Sequence, residues 1–173
     1  NITAADAGKN IYLDIDGAMS YAMVWLNGNL VGGWPYGYNS FRLNLTPYLK
    51  LGGNNQLAIR VDNPNYSARW YPGGGIYRNV WLTKVNAVHI AHWGTFVTSK
   101  NVSAVSATVD IAVEIENKLT ADKNIEVVTE IYFLQNNLQS RKNKIVSFPK
   151  MVAVVQPGKK IKLGNSVSIK NPL

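Results

Sequence analysis

Short runs of alternating apolar and polar residues constrain this chain more than any other feature of its sequence. Between Val109 and Ile115, and again between Ile11 and Ile15, every second residue is a Val, Ile or Leu. A β-strand turns successive side chains to opposite faces, whereas a helix repeats about every 3.6 residues. No helical periodicity longer than about two turns occurs anywhere. The sequence therefore predicts an all-β chain in which the strands bury one face.

Turn-forming residues separate the predicted strands. Asn27-Gly28 is the pair that a two-residue type I′ hairpin favours, and Thr46-Pro47 predicts a single helical turn through Leu49. Strands at this spacing, with turn signals between them, are typical of β-sandwiches. Further expectations are a loop at Gly32–Asn39, an open hairpin at Asn117–Lys123, two strands between Ile145 and Val155 broken at Pro149, and separate strands at Ile161–Leu163 and Val167–Ile169.

The composition changes near Lys84–Ala87. Residues 1–86 hold most of the Gly, Trp and Tyr, while residues 87–173 have a less distinctive composition with fewer aromatic side chains. The total of 173 residues suits two small β domains, and 46% hydrophobic residues are enough to form packed cores. We therefore expect two β-sandwiches that meet at Asn86.

Several classes of function are disfavoured by composition. The chain has no Cys, which excludes a disulfide or a Cys-based metal site. Its net charge of +8 is spread along the chain, and the densest cluster, Ser140–Lys144, is typical of a solvated loop, so no nucleic-acid partner is predicted. No apolar run is long enough to span a membrane. His89 and His92 are three residues apart, on opposite faces of a strand, so neither a metal nor another cofactor is predicted.

The ten acidic residues do not form a pattern that predicts catalysis. Hydrolysis of a glycosidic bond needs two carboxyl groups that face one sugar bond. Asp14 and Asp16 share one face of a strand, as do Asp110, Glu114 and Glu116, and at period two such a face points to solvent. No catalytic residue is therefore predicted.

A glycine-rich corner stands out at Arg69–Leu82, RWYPGGGIYRNVWL. Three consecutive glycines permit backbone angles that other residues avoid, and such a corner lets backbone or ligand approach closely. The residues alone leave two interpretations open: an ordinary corner with a packed Trp, or a binding segment. Sugars stack on aromatic rings while Arg and Asn bond their hydroxyls, and the aromatic candidates are Trp34, Tyr36, Tyr38, Tyr66, Trp70 and Tyr71.

Four motifs, in order, resemble glycoside hydrolase family 2, which contains β-galactosidases, β-glucuronidases and β-mannosidases. They are VWLNG at Val24–Gly28, GYNSFRLNLTPYL at Gly37–Leu49, NNQLAIRVDNP at Asn54–Pro64, and the glycine corner followed by Ile-Tyr-Arg-x-Val. Together they cover about half of the chain. The resemblance implies that residues 1–86 are part of a jelly-roll, galactose-binding-like sandwich and that residues 87–173 form an immunoglobulin-like sandwich. It also implies further strands before Asn1, open strand edges without them, and a catalytic barrel after Leu173.

The same resemblance implies a function. The chain is expected to be a non-catalytic part of a β-galactosidase-like enzyme that braces the barrel and shapes its sugar pocket, with carbohydrate and the barrel as partners. A free-standing carbohydrate-binding or adhesion module is the alternative. In the family, the segment just before the glycines reaches toward the active site. The resemblance therefore implies that Arg69, Trp70, Tyr71 and Tyr66 contact the substrate. Ala68, however, stands where some members of the family have an acidic residue. Trp70 and Arg78 are expected to hold the corner, and Arg69 to face solvent or a partner.

Overall fold

The computed structural model describes residues 2–66, 73–134 and 143–172. Over these ranges the chain has no α-helix and is built from β-strands in several sheets, with 3-10 turns at Ala4–Asp6 and Thr46–Tyr48. The prediction of an all-β chain is confirmed. The chain divides into two compact units, Asn1–Asn86 and Ala87–Leu173.

The first unit is made of short strands. In order these are β1 Asn10–Ile15, β2 Ala18–Met19, β3 Ala22–Leu26, β4 Asn29–Trp34, β5 Phe41–Asn44, β6 Leu57–Arg60, β7 Gly75–Ile76 and β8 Val80–Val85. They form the antiparallel sheets β5-β1-β8, β4-β3-β6 and β2-β7. Asn27 and Gly28 join β3 to β4 with positive φ angles of 53° and 83°, as a type I′ turn requires.

The core of the first unit lies where β1 faces β3. Ile11, Leu13 and Ile15 alternate with half-buried polar residues along β1, as the sequence pattern predicts. They pack with Val24 and Leu26 of β3. Burying each such side chain contributes about 1.5–3 kcal/mol, so this cluster is the main apolar contribution to the stability of the unit.

An apolar groove of about 800 Å³ runs along the first unit beside this core. Leu57 of β6 and Val80 and Leu82 of β8 line it, and each of these three side chains is exposed. Among the described strands, β6 and β8 are edge strands of their sheets. Apolar side chains on open edge strands are prone to pair with other strands.

The second unit has much longer strands. In order these are β9 Val88–Lys100, β10 Ser106–Asn117, β11 Lys123–Val127, β12 Glu130–Tyr132, β13 Lys144–Ser147, β14 Met151–Val155 and β15 Lys160–Lys170. They form the antiparallel sheets β15-β10-β9, β11-β14 and β12-β13. Its core is built on Ile111, Val113 and Ile115 of β10, with Phe148 and Val155 against them.

Several local expectations need correction. The connection at Asn117–Lys123 is not a hairpin, because β10 pairs with β15 and β9 while β11 pairs with β14. Ile161 to Ile169 lies in one continuous strand, since Gly164 and Asn165 keep their places in the ladder with β10. β4 extends through Trp34, into the stretch expected to be a loop. The break at Pro149 is confirmed by β13 and β14.

Candidate functional site

Most of the predicted substrate-contacting residues lie outside the described ranges. Arg69, Trp70 and Tyr71, together with Ala68, belong to the stretch 67–72. Tyr66 is described, has a left-handed backbone with φ of 61°, and is fully exposed. Its ring is therefore available for an external contact.

The end of β4 and the connection that follows it carry three exposed aromatic rings: Trp34 on the strand, then Tyr36 and Tyr38. The structure brings Tyr36 and Tyr38 together edge to face, with their ring centroids 5.5 Å apart. The Tyr21 amide donates to the Pro35 carbonyl at 3.0 Å, which fixes the start of this connection against β3. Exposed rings held by a fixed backbone are suited to stacking on a flat ligand.

Tyr77 ties the chain after the glycine corner to the rest of the first unit. Its hydroxyl donates to the Gly37 carbonyl at 2.8 Å, and its amide donates to the Gly17 carbonyl at 3.3 Å. A Cβ at Gly17 would lie 2.7 Å from the Tyr77 ring, so only glycine allows this packing. Gly75 has a φ of 125°, which supports the expectation that the corner needs glycine.

The expectation that Arg78 holds the corner needs correction. Its side chain is exposed, and its guanidinium makes no hydrogen bond or ion pair with the described residues. Its carbon Cζ lies 6.0 Å from the centre of the Tyr77 ring. Tyr77, rather than Arg78, makes the bonds that fix this segment, because its side-chain hydroxyl reaches Gly37 while its backbone amide bonds Gly17.

A cleft of about 330 Å³ opens beside Tyr77. We call it the Asp16 cleft; its lining residues are Asp16, Ser40, Tyr77, Arg78 and Asn79. The Asp16 amide donates to the Asn79 carbonyl at 3.0 Å, and the Ser40 hydroxyl donates to the Asp16 carbonyl at 3.3 Å. The Trp81 indole N–H donates to Asp16 Oδ2 at 2.9 Å.

Sequence reasoning missed the Asp16 cleft. Asp16 looked like one of two carboxylates on a solvated strand face, yet it lies just past β1 and is bonded to Trp81, 65 residues away. The local signal was the run of polar residues at the ends of strands, namely Asp16, Ser40 and Asn79. Their convergence depends on the pairing of β1 with β5 and β8, which no local pattern specifies.

Most of the acidic side chains are engaged with basic or hydrogen-bonding partners. Arg42 binds Asp14 with two nitrogens, at 2.5 and 2.8 Å, and the Thr83 hydroxyl donates to the same carboxylate at 2.6 Å. Seven more of the ten acidic residues form ion pairs: Asp6, Asp62, Asp110, Glu114, Glu116, Glu126 and Glu130.

The resolved pKa shifts of these acids are all downward. Hydrogen bonds from Lys84, from the Thr3 amide and from Lys9 hold the pKa of Asp6 well below its usual range. Lys100 lowers the pKa of Asp110, and the Tyr132 hydroxyl lowers the pKa of Glu130. A glycosidase acid needs the opposite, a carboxyl whose pKa is raised so that it holds a proton near neutral pH.

The two histidines have separate surroundings. His89 Nε2 lies 3.6 Å from a carboxylate oxygen of Glu116, while the His92 ring stacks on Trp93 with centroids 4.5 Å apart. Within the described ranges, no group of three or more His, Asp or Glu side chains could hold a metal ion. The same ranges contain no helix with the length and hydropathy needed to cross a membrane.

The chain is similar in sequence to parts of named glycosidases. It is 36% identical to β-galactosidase BoGH2A of Bacteroides ovatus over 99% of its own length and 20% of that protein. It is 31% identical to a β-glucuronidase of Formosa agariphila, over 96% of its length and 18% of that protein. The chain matches glycoside hydrolase family 2 along almost its entire length. The resemblance seen in the four motifs is therefore confirmed.

Solved structures of this family share the fold. A glycosyl hydrolase family 2 member from Bacteroides cellulosilyticus superposes with a TM-score of 0.89 at 30% identity, covering 99% of this chain and 23% of that one. A β-glucuronidase from glycoside hydrolase family 2 gives a TM-score of 0.89 at 28% identity over 100% of this chain and 20% of that one. The fold matches the non-catalytic β-sandwich domains of the family.

The chain spans about a fifth of the length of the curated relatives it matches. No protein-family model matches it.

Proposed function

We propose that this chain is a non-catalytic region of a β-galactosidase-like enzyme of glycoside hydrolase family 2. The observation that carries the proposal is the match along 99% of the chain to a protein named as a β-galactosidase, at 36% identity. The state of the carboxylates supports it, because ion pairs occupy most of them and the resolved pKa shifts run downward.

In this proposal the first unit is a partial jelly-roll sugar-binding sandwich and shapes the substrate pocket. Arg69, Trp70, Tyr71 and Tyr66 contact the sugar, with Arg69 supplying the polar group in place of an acid at Ala68. The full exposure of Tyr66 supports an external role for its ring. The second unit is an immunoglobulin-like sandwich that braces the catalytic barrel, and the long, uninterrupted pairing of β10 with β15 suits a rigid scaffold.

The test uses the full-length enzyme that contains this chain, assayed with nitrophenyl β-galactoside and β-glucuronide. We expect the galactoside to be preferred, and Arg69→Ala to reduce kcat/KM by about tenfold or more, since a lost charge-assisted hydrogen bond is worth about 1.5–3 kcal/mol. Lys123→Ala is the matched control, because Lys123 is an exposed cation on β11 of the second unit.

The 173-residue chain by itself should release no nitrophenol. Turnover by the purified chain that disappears on Asp14→Asn or Asp16→Asn would overturn the non-catalytic assignment. An Arg69→Ala enzyme with unchanged kcat/KM would remove Arg69 from the substrate site, and preference for the glucuronide would overturn the galactosidase assignment.

A further inference from the structure

We propose that the Asp16 cleft is a second, weak carbohydrate site that binds one neutral sugar ring. This inference rests on the proposed carbohydrate function but concerns residues other than the predicted contacts at 66–71. Its volume of about 330 Å³ lies at the lower end of the range of about 300–1,000 Å³ that small-molecule sites occupy. That size suits a single ring rather than an oligosaccharide.

Two opposite charges, Asp16 and Arg78, line the cleft without forming an ion pair among the described residues. Asp16 uses one carboxylate oxygen to accept the Trp81 indole N–H, and within the described ranges its other oxygen accepts no hydrogen bond. The Arg78 guanidinium forms no ion pair there either, with Asp16 or any other described acid. A ligand that both donates and accepts hydrogen bonds can satisfy both groups at once, and each hydroxyl of a sugar does this.

Two rings beside these charges are exposed and held in place. Trp81 is 54% exposed while its N–H is bonded to Asp16, and Tyr77 is 50% exposed while its hydroxyl is bonded to Gly37. Rings that are already fixed lose little conformational freedom when a ligand arrives. The fixed aromatic rings can stack on the C–H face of a pyranose, while the Asp, Arg, Ser and Asn side chains of the cleft can bond its hydroxyls.

The charge of Asp16 argues for a neutral sugar rather than a uronic acid. A second carboxylate placed in so small a cleft would be repelled by the Asp16 carboxylate, because like charges at short distance disfavour each other. Arg78 reduces this repulsion but also serves the hydroxyls of a neutral ring. We therefore expect a methyl galactoside to bind better than the corresponding glucuronide.

The experiment follows the indole N–H resonances of the ¹⁵N-labelled chain during titration with methyl β-D-galactopyranoside. Trp81→Phe assigns the resonance of Trp81 among the five tryptophans. We expect a saturable shift of that resonance, with the affinity reduced at least about tenfold by Asp16→Asn or Arg78→Ala. Asn at position 16 keeps an oxygen for the Trp81 N–H while removing the charge, and Lys123→Ala controls for the loss of one exposed cation.

Three outcomes overturn the proposal: no saturable shift at Trp81, an unchanged affinity in Arg78→Ala, or a glucuronide that binds as tightly as the galactoside. Shifts confined to Trp34 or Trp70 would place the sugar at the predicted contacts and reject the Asp16 cleft, while leaving the proposed function intact. Conversely, a Trp81 shift together with an Arg69→Ala enzyme of normal kcat/KM would support the cleft and remove Arg69 from the substrate site.

Discussion

The two units solve the same problem of burying a β-sheet face in different ways. In the first unit none of the described strands exceeds six residues, and side chains bond the connections between them. In the second unit β10 pairs with β15 over eleven consecutive positions, and cations lie opposite carboxylates across the ladder. Short strands leave more chain in connections, and connections are where binding residues are usually found. This difference explains why the candidate contacts are concentrated in the first unit.

The core of the first unit gives the largest expected effect. Ile15 is 0% exposed, so Ile15→Ala should destabilise the unit by about 2–5 kcal/mol through lost burial and a cavity. Ile76→Ala is the matched control, since Ile76 is 43% exposed on β7 of the same unit. Denaturant unfolding followed by tryptophan fluorescence measures both, and equal losses would show that β1 does not carry the core.

A buried asparagine makes the corresponding test for the second unit. Asn117 donates to the carbonyls of Ala121 at 2.9 Å and Val155 at 2.8 Å, and accepts from the Leu119 amide at 2.8 Å. Asn117→Ala leaves the Val155 carbonyl without its buried partner, at a cost of about 1–3 kcal/mol, while solvent can reach the groups of the exposed Leu119 and Ala121.

Asn124→Ala on β11 is the control for this asparagine, because Asn124 is exposed. Chemical denaturation should separate the two variants clearly. If Asn117→Ala is as stable as Asn124→Ala, strand pairing alone holds the second unit together and the bonds of Asn117 in the connection after β10 contribute nothing.

A smaller effect is expected from acid, which should lower the stability of the first unit by protonating Asp6. Its pKa is lowered in the folded chain, first by the Lys84 hydrogen bond and then by the Thr3 amide and Lys9. A lowered folded pKa gives stability that is present above the unfolded value of about 3.9 and is lost as the pH falls through the lower folded value. Asp6→Asn should therefore lower the Tm at pH 7, and the difference in Tm from the parent chain should shrink steadily as the pH falls below about 3.9.

The control for Asp6 is Asp122→Asn in the second unit, since Asp122 is exposed. Thermal melts at a series of pH values measure both variants. A Tm difference between Asp6→Asn and the parent chain that stays constant from pH 7 to pH 2 would contradict the assignment of this linkage to Asp6.

The smallest expected effect is at the glycine corner. Tyr77→Phe removes the hydroxyl bonded to Gly37 and should cost about 1 kcal/mol, because the net value of one such hydrogen bond is about 0.5–1.5 kcal/mol. Amide hydrogen exchange should quicken at residues 37–40. The exposed Tyr36 is the control, and faster exchange in Tyr36→Phe as well would show that the bond to Gly37 is not what orders this connection.

Local patterns predicted the parts of the fold whose causes are local. Alternation located β1 and β10, the Asn27-Gly28 pair fixed the β3–β4 turn, and Pro149 separated β13 from β14. Local sequence patterns gave wrong predictions where the pairing of strands that are far apart in the sequence determines the structure. The link at Asn117–Lys123 looked like a hairpin because its length allowed one, yet β11 finds its partner in β14.

The fold class, the position of the main turns and the family resemblance can all be read from the sequence, because period-two burial, turn chemistry and motif order are properties of neighbouring residues. Which polar residues lie together depends instead on how distant strands pair. Asp16 and Trp81 are 65 positions apart and are joined because β1 and β8 lie side by side, and Ser40 joins them through β5. Strand pairing is set by the burial of the whole core, so contacts of this kind are not encoded in any short segment.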